Sequence, residues 1–297
     1  MESAISAVID VMPRILVIDI GNSSTKLGIV RAGTRRGGRC KVLRRKSVPT
    51  AGASATITER ALRVFTRAGR VDGAVLCSVV PAATGVWRRA VKRVCSADLL
   101  KVSHKLDLGI GISYPEPARI GADRLANACA ATALYGVPVI AMDFGTALTF
   151  DVVSARREYV GGVIAPGLSL MTDYLAEKTA LLPRTSPRLS RRVIGKSTAE
   201  AMSIGASIGY RGLVREILGR LVSEVGRNVK LCATGGCAKV VLKGLGGRIR
   251  LDPDLTLRGL GITWELNRAS SLSDFPPEAG LPPARTSSKL LERERLR

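Results

Sequence analysis

The sequence predicts an α/β protein built of two similar half-domains around a central cleft. Three observations predict it. Residues 15–30 read as an apolar strand ending in Asp19, a small polar turn from Gly21 and a second apolar strand from Leu27. Residues 139–153 repeat the pattern, with Asp143, then Gly145 two places on and Thr149 six places on, as Thr25 stands six after Asp19. Strand-like and helix-like segments alternate through the rest of the chain, the order of a mixed sheet with helices on its faces. One such hairpin is no more than a tight turn. Two, far apart in one chain, point to half-domains that each offer a turn to a shared cleft.

Composition narrows the class. The 297 residues suffice for two modest domains, and 46% are hydrophobic but only 4% aromatic, so the core must be aliphatic. A net charge of +22 favours nucleotides, anionic metabolites, nucleic acid or anionic surfaces as partners. The six cysteines include no C-x-x-C pair; they read as buried free thiols of a reducing cytosol, and a zinc site is set aside. His104 is the only histidine, which excludes a His-rich metal centre. The charge-free run between Arg124 and Asp143 approaches membrane length, but Asn127, Thr132 and Gly136-Val137-Pro138 divide it. A buried helix followed by a buried strand fits better. Glu2 and the short apolar run argue against a secretion signal, and Met12 is a second candidate start.

The first turn has the chemistry of a phosphate site. Gly21 lets a ligand approach the backbone. The N–H groups and side chains of Asn22, Ser23, Ser24 and Thr25 suit phosphate oxygens, and Lys26 adds positive charge. Asp19 would face a phosphate-bound Mg²⁺, because hard cations prefer carboxylate oxygen and water.

Residues 31–46 hold eight basic residues and no acid, a solvated loop without interleaved aromatics, leading into a strand over 41–48. A helix over 57–68 turns Ile57, Ala61, Leu62 and Phe65 to one face. A buried strand over 73–80 stops at Pro81; a short basic helix over 86–95 and a strand over 99–102 follow. Tyr114-Pro115-Glu116-Pro117 is a stiff entry to a helix reaching about Tyr135, which puts Asp123 and Arg124 in its first turn. An acid there complements the helix dipole, the stronger reading on local sequence; the functional reading makes Asp123 a general base and Arg124 an anion clamp.

After the second hairpin come a strand over 158–167, a helix over 168–179 and a mobile, basic Pro- and Ser-rich loop over 182–196. Gly195-Lys196-Ser197 looks like the end of a P-loop, but Ser190 stands near where its first glycine belongs, so Ser197 or Thr198 reads as a helix cap. Residues 210–225 form an amphipathic helix. A strand over 230–236 ends in Gly235-Gly236, where a nucleotide could lie on the backbone. Beyond Arg268 the chain reads as a disordered tail.

The doubled hairpin resembles the acetate and sugar kinase, Hsp70 and actin superfamily. Six motifs in order sharpen this: Asp19-Ile20-Gly21-Asn22, Ser78-Val79-Val80-Pro81, Gly121-Ala122-Asp123-Arg124, Asp143-Phe144-Gly145-Thr146, Gly161-Gly162-Val163-Ile164-Ala165-Pro166-Gly167 and Ala233-Thr234-Gly235-Gly236. Together they resemble type III pantothenate kinase over about residues 14–265. The resemblance implies two ribonuclease-H-like half-domains of the actin-like ATPase fold, at 13–136 and 137–267, with 268–297 as tail. It implies phosphorylation of the pantothenate 4′-hydroxyl by ATP, the first step to coenzyme A, in a cytoplasmic homodimer that binds neither membrane nor nucleic acid. It further implies Asp123 as base; Asp19, Ile20, Gly21, Asn22, Ser23, Ser24, Thr25, Lys26 and Thr146 at ATP; and Tyr114, Gly121, Ala122, Asp123, Arg124 and Thr198 at pantothenate. Asp143 would hold a monovalent cation, K⁺ or NH₄⁺, and Asp19 would meet Mg²⁺ through phosphate or water. Family members often carry Thr at Ser23 and Asn-Pro at Glu116-Pro117. The alternatives are a non-catalytic, nucleic-acid-associated accessory factor of transcription on the same fold, and a sugar or acetate kinase.

Overall fold

A computed structural model describes residues 13–31, 33, 40–185, 192–243, 245–246 and 248–268. The second candidate start, the predicted tail and parts of both basic loops lie outside these residues.

Two sheets form, and each contains one of the predicted hairpins. In the first, β1 (Arg14–Ile20) pairs antiparallel with β2 (Ser24–Arg31), and β2 with β3 (Lys41–Pro49). Helix α1 (Ala55–Thr66) leads to β4 (Gly73–Ser78), parallel to β1; α2 (Pro81–Cys95) leads to β5 (Leu99–Lys101), parallel to β4. The strand order is β3-β2-β1-β4-β5. A two-residue strand β6 (Gly111–Ile112), a 3₁₀ turn at Pro117–Arg119 and α3 (Ala122–Tyr135) connect to the second sheet. There β7 (Val139–Phe144), β8 (Ala147–Val153) and β9 (Glu158–Pro166) form the antiparallel set. Helices α4 (Leu168–Lys178) and α5 (Thr198–Val225) precede β10 (Lys230–Thr234), parallel to β7. Then α6 (Ala238–Leu242) leads to β11 (Ile249–Leu251), and α7 (Leu255–Arg268) closes the described chain. The order β9-β8-β7-β10-β11 repeats that of the first sheet, with β6 added beyond β9. This is the duplicated ribonuclease-H-like plan of the actin-like ATPase fold.

The helices sort into layers by the apolar faces they cover. Leu62, Phe65, Trp87 and Val91 of α1 and α2 pack on Leu16, Ile18 and Leu76, the outer face of the first sheet. Tyr210 and Val214 of α5 pack on Ile140, Met142 and Phe150, the outer face of the second. Between the sheets lies a shared core in which α3 and α7 join Val17 and Val75 to Val139 and Ala141. The two helices cross closely because Gly259 has no side chain: a Cβ there would sit 2.0 Å from the Ala126 carbonyl oxygen. Thus α3 packs on β7 and β8, while α7, the last helix, packs on β1, β2 and β4.

Several element boundaries differ from the sequence reading. Helix α2 starts at Pro81, five residues before the predicted start; proline at a first helical position lacks only an N–H that would be unpaired anyway. Ile57 is 58% exposed, and Thr58 takes the buried place on α1. Helix α5 begins at Thr198, not near 210, with Ser197 as cap: its hydroxyl accepts from the Glu200 N–H. The apolar run between Arg124 and Asp143 is α3 followed by β7, and among the described residues no helix is long and apolar enough to cross a membrane.

Candidate active site

The two turns face each other at the mouth between the sheets. The first is held by its own backbone and by the residue after β3: the Gly21 N–H donates to the Ser24 carbonyl, and the Thr50 hydroxyl donates to the Gly21 carbonyl. Thr25 is buried against Thr50, their hydroxyls 2.9 Å apart, so its side chain fixes the turn. Ile20 is likewise buried, whereas Asn22 and Ser23 are exposed. Thr146, at the tip of the second turn, lies with its hydroxyl 2.8 Å from that of Ser23. The hydroxyl pair spans 123 positions of sequence and joins the two hairpin tips.

Behind the tips three carboxylates converge. Asp19 pairs with Lys26, directly opposite in the hairpin register, at 3.5 Å, and accepts from the Cys77 thiol at 3.3 Å. Burial alone would lower the Lys26 pKa, but Asp19 and Asp143 hold it above the ordinary value. Asp143 accepts from the Asn127 amide at 3.3 Å, and Asn127 accepts from the Thr256 hydroxyl at 2.8 Å. Burial pushes Asp143 up to about 6, opposed by Lys26 and reinforced by Asp19 and Asp123. Gly235, at φ +95°, makes room beside it: a Cβ there would lie 2.6 Å from Asp143 Oδ1.

Asp123 is in the first turn of α3. Its Oδ1 accepts from the Arg124 N–H at 2.8 Å, and a side chain on Gly121 would meet that same oxygen at 2.5 Å. Burial, then the Asp19 charge, raises the Asp123 pKa. A carboxylate so held is a stronger proton acceptor than an exposed one. Arg124 reaches the other way, its Nε donating to Asp151 Oδ1 of β8 at 2.7 Å. Tyr159 of β9 donates to that oxygen at 2.9 Å, and its ring stands edge-on to Tyr114 with centroids 6.2 Å apart. The fold therefore gathers Asp19, Lys26, Asp123, Arg124 and Asp143, joins Ser23 to Thr146, and links Tyr114 to Arg124 through Tyr159. Thr198 is exposed in the first turn of α5, and no hydrogen bond among the described residues ties it to the hairpins.

Sequence reasoning did not assign Asn127, Asp151, Tyr159 or Thr256. Asn127 alone left a signal, as a polar residue in the charge-free run.

The family model described as type III pantothenate kinase matches residues 15–220. The chain belongs to the type III pantothenate kinase family. A type III pantothenate kinase from Methylacidiphilum infernorum is 39% identical over 92% of this chain and 96% of its own length. One from Akkermansia muciniphila is 50% identical over 67% of this chain and 80% of its own. Among solved structures, a conserved Baf family protein from Campylobacter jejuni shares 17% identity at a TM-score of 0.53, over 84% of this chain and 97% of its own, a likeness of fold alone. The family motifs Asp19-Ile20-Gly21-Asn22, Gly121-Ala122-Asp123-Arg124 and Asp143-Phe144-Gly145-Thr146 are thus the segments that meet at the cleft.

Proposed function

We propose that this chain transfers the γ-phosphoryl group of ATP to the 4′-hydroxyl of pantothenate, giving ADP and 4′-phosphopantothenate, the first step of coenzyme A synthesis. The observation that carries the reading is the meeting of Asp123 with the Asp19–Lys26 pair between two joined hairpin tips. Phosphoryl transfer demands positioning and charge neutralisation more than covalent help from the protein. The first turn, residues 19–26, and Thr146 cradle the phosphates. Asp123 accepts the hydroxyl proton as the new O–P bond forms and the bond from the γ-phosphorus to the bridging oxygen breaks, with ADP leaving. Tyr114, residues 121–124 and Thr198 hold pantothenate.

The donor set fits hard cations. Among the described residues no three His, Cys, Asp or Glu form a metal cage, so phosphate and water would complete the shell of Mg²⁺ at Asp19. Mg²⁺ would neutralise phosphate charge there. Asp143 Oδ1, beside the space that Gly235 leaves open, offers an oxygen to K⁺ or NH₄⁺. The half-domains are 13–136 and 137–267, and the enzyme is cytoplasmic. A homodimer is supported by exposed Ile164, Leu170, Tyr174, Leu181, Val193 and Ile194, all on one stretch of the second half. The accessory-factor alternative is not favoured, since the curated relatives are named as kinases. The test is coupled ADP release in Mg²⁺ and K⁺, with and without pantothenate; no stimulation by pantothenate sinks the reading.

A further inference from the structure

Asp151 is a carboxylate with no solvent contact on its side chain, in the interior of β8. Three donors converge on it: Arg124 Nε at 2.7 Å and the Tyr159 hydroxyl at 2.9 Å on one oxygen, and the Thr149 hydroxyl at 3.3 Å on the other. A buried ion pair of this kind is a poor stabilising device, because desolvating both ions offsets most of their attraction. Here the cost is visible: burial pushes Asp151 up to about 7 despite the neighbouring guanidinium. A pair that does little for stability, but whose carboxylate takes three donors, is better explained by what it holds in place.

What it holds is Arg124. With Nε engaged, the guanidinium plane cannot rotate freely, and the Tyr159 ring stands 5.9 Å from its central carbon. Nη2 is buried and has no hydrogen-bond partner. An orphaned charged donor is costly and rare inside a folded protein. The β9 residue opposite Asp151 is Gly162; a Cβ there would strike the Phe150 carbonyl and come within 3.0 Å of Nη2. So position 162 admits no side chain, and only backbone flanks the free nitrogen from β9. The Arg124 side chain keeps 13% exposure, and its positive charge is felt at Asp123, the proposed base.

We infer that Asp151 and Tyr159 are positioning residues, which fix Arg124 so that Nη2 meets an anion of the bound reactants. That anion is either the pantothenate carboxylate or the phosphoryl group in transit. The inference rests on the kinase reading for the identity of the anion, but not for the geometry of Arg124.

The experiment compares wild type, Asp151→Asn and Tyr159→Phe with pantothenate and with pantothenol, in which an alcohol replaces the carboxylate. Removing one partner of a buried charge pair should cost at least about tenfold. If the carboxylate is the anion, Asp151→Asn raises the KM for pantothenate by that factor and leaves pantothenol and the ATP KM within about twofold. If the phosphoryl group is the anion, kcat falls alike for both substrates. Tyr159→Phe keeps the ion pair and shows the same pattern at about two- to fivefold, which protects the test should Asp151→Asn fold poorly. A loss in the ATP KM alone, or no change in either substrate, overturns the inference. An independent arm uses the Nε–H resonance of Arg124 in ¹⁵N spectra: exchange-protected in wild type and less protected in Asp151→Asn, where a neutral acceptor replaces the charged one. Wild type without pantothenate turnover refutes the kinase reading alone; an unprotected wild-type resonance refutes the positioning role alone.

Discussion

The two hairpins share a backbone and differ in what stands opposite their aspartates. Across from Asp19 the register puts Lys26; across from Asp143 it puts Thr149. The first hairpin thus brings its own cation and leaves hydroxyls exposed at its tip. The second has no basic residue of its own at this place. Its carboxylates take partners from α3: Asn127 for Asp143 and Arg124 for Asp151. One helix thereby ties the proposed base to the second hairpin. On the proposed function, a repeated fold serves two jobs, phosphate charge on one side and orientation of the acceptor on the other.

The sharpest way to break this comparison is at Asp123, between the two hairpins. Asp123→Asn keeps shape and hydrogen bonding but cannot take a proton, so turnover should fall by about 10²- to 10⁴-fold. Nucleotide binding, assigned to the first hairpin, should persist when measured by calorimetry with ADP and Mg²⁺. Normal turnover would return Asp123 to the status of a helix-dipole acid.

A pH profile tests the second hairpin. Asp143, at about 6, and the raised Asp123 must both be ionised to act in their proposed roles of cation ligand and base. The rate kcat/KM should therefore fall as pH drops through about 6, where an exposed carboxylate would titrate near 4. The midpoint belongs to the coupled group rather than to one residue. A flat profile down to pH 5 would remove the role proposed for Asp143.

How much of this was legible in the sequence follows the range of the interactions. The hairpins were, because an aspartate, a glycine two places on and a hydroxyl at six recur within local strand patterns. Asp123 and Arg124 were placed in the first turn of α3 because Pro115 and Pro117 mark its entry. The start of α2 was misread because Pro81 stops a strand and opens a helix equally well. Elements β11 and α7 were not assigned; α7 owes its place to Gly259 against Ala126, 133 positions away in the chain. Asp151 looked like any residue of β8, since its meaning comes from Arg124 and Tyr159, brought together only by the fold.

Lys26 sharpens the comparison from the first hairpin. Lys26→Met removes a cation while preserving most of the side-chain bulk. It should raise the ATP KM about tenfold, the usual worth of a charge-assisted hydrogen bond, with the pantothenate KM nearly unchanged. An equal effect on both substrates would mean that the two hairpins do not divide the work.

The smallest effect is on stability, and it has the opposite sign. Asp143 has a folded-state pKa of about 6, above its ordinary 3.8, chiefly because of burial. The folded chain then holds its proton more tightly than the unfolded chain, so stability from this group is greatest in acid and falls as pH rises through that window. Above about pH 6 the folded protein must keep a buried, ionised carboxylate near Asp19 and Asp123. Asp143→Asn removes this cost while retaining the size of the side chain. It should raise stability by on the order of 1 kcal/mol at pH 8, read from denaturant unfolding without nucleotide, and lower activity in K⁺. The gain should shrink towards pH 4, where Asp143 is already protonated in the folded state. At Asp19 the same exchange should bring no such gain, because it would leave Lys26 without its ion-pair partner at 3.5 Å. If Asp19→Asn stabilises the protein as much as Asp143→Asn does, the two aspartates stand in equivalent fields, and the distinction drawn from Lys26 and Thr149 is lost.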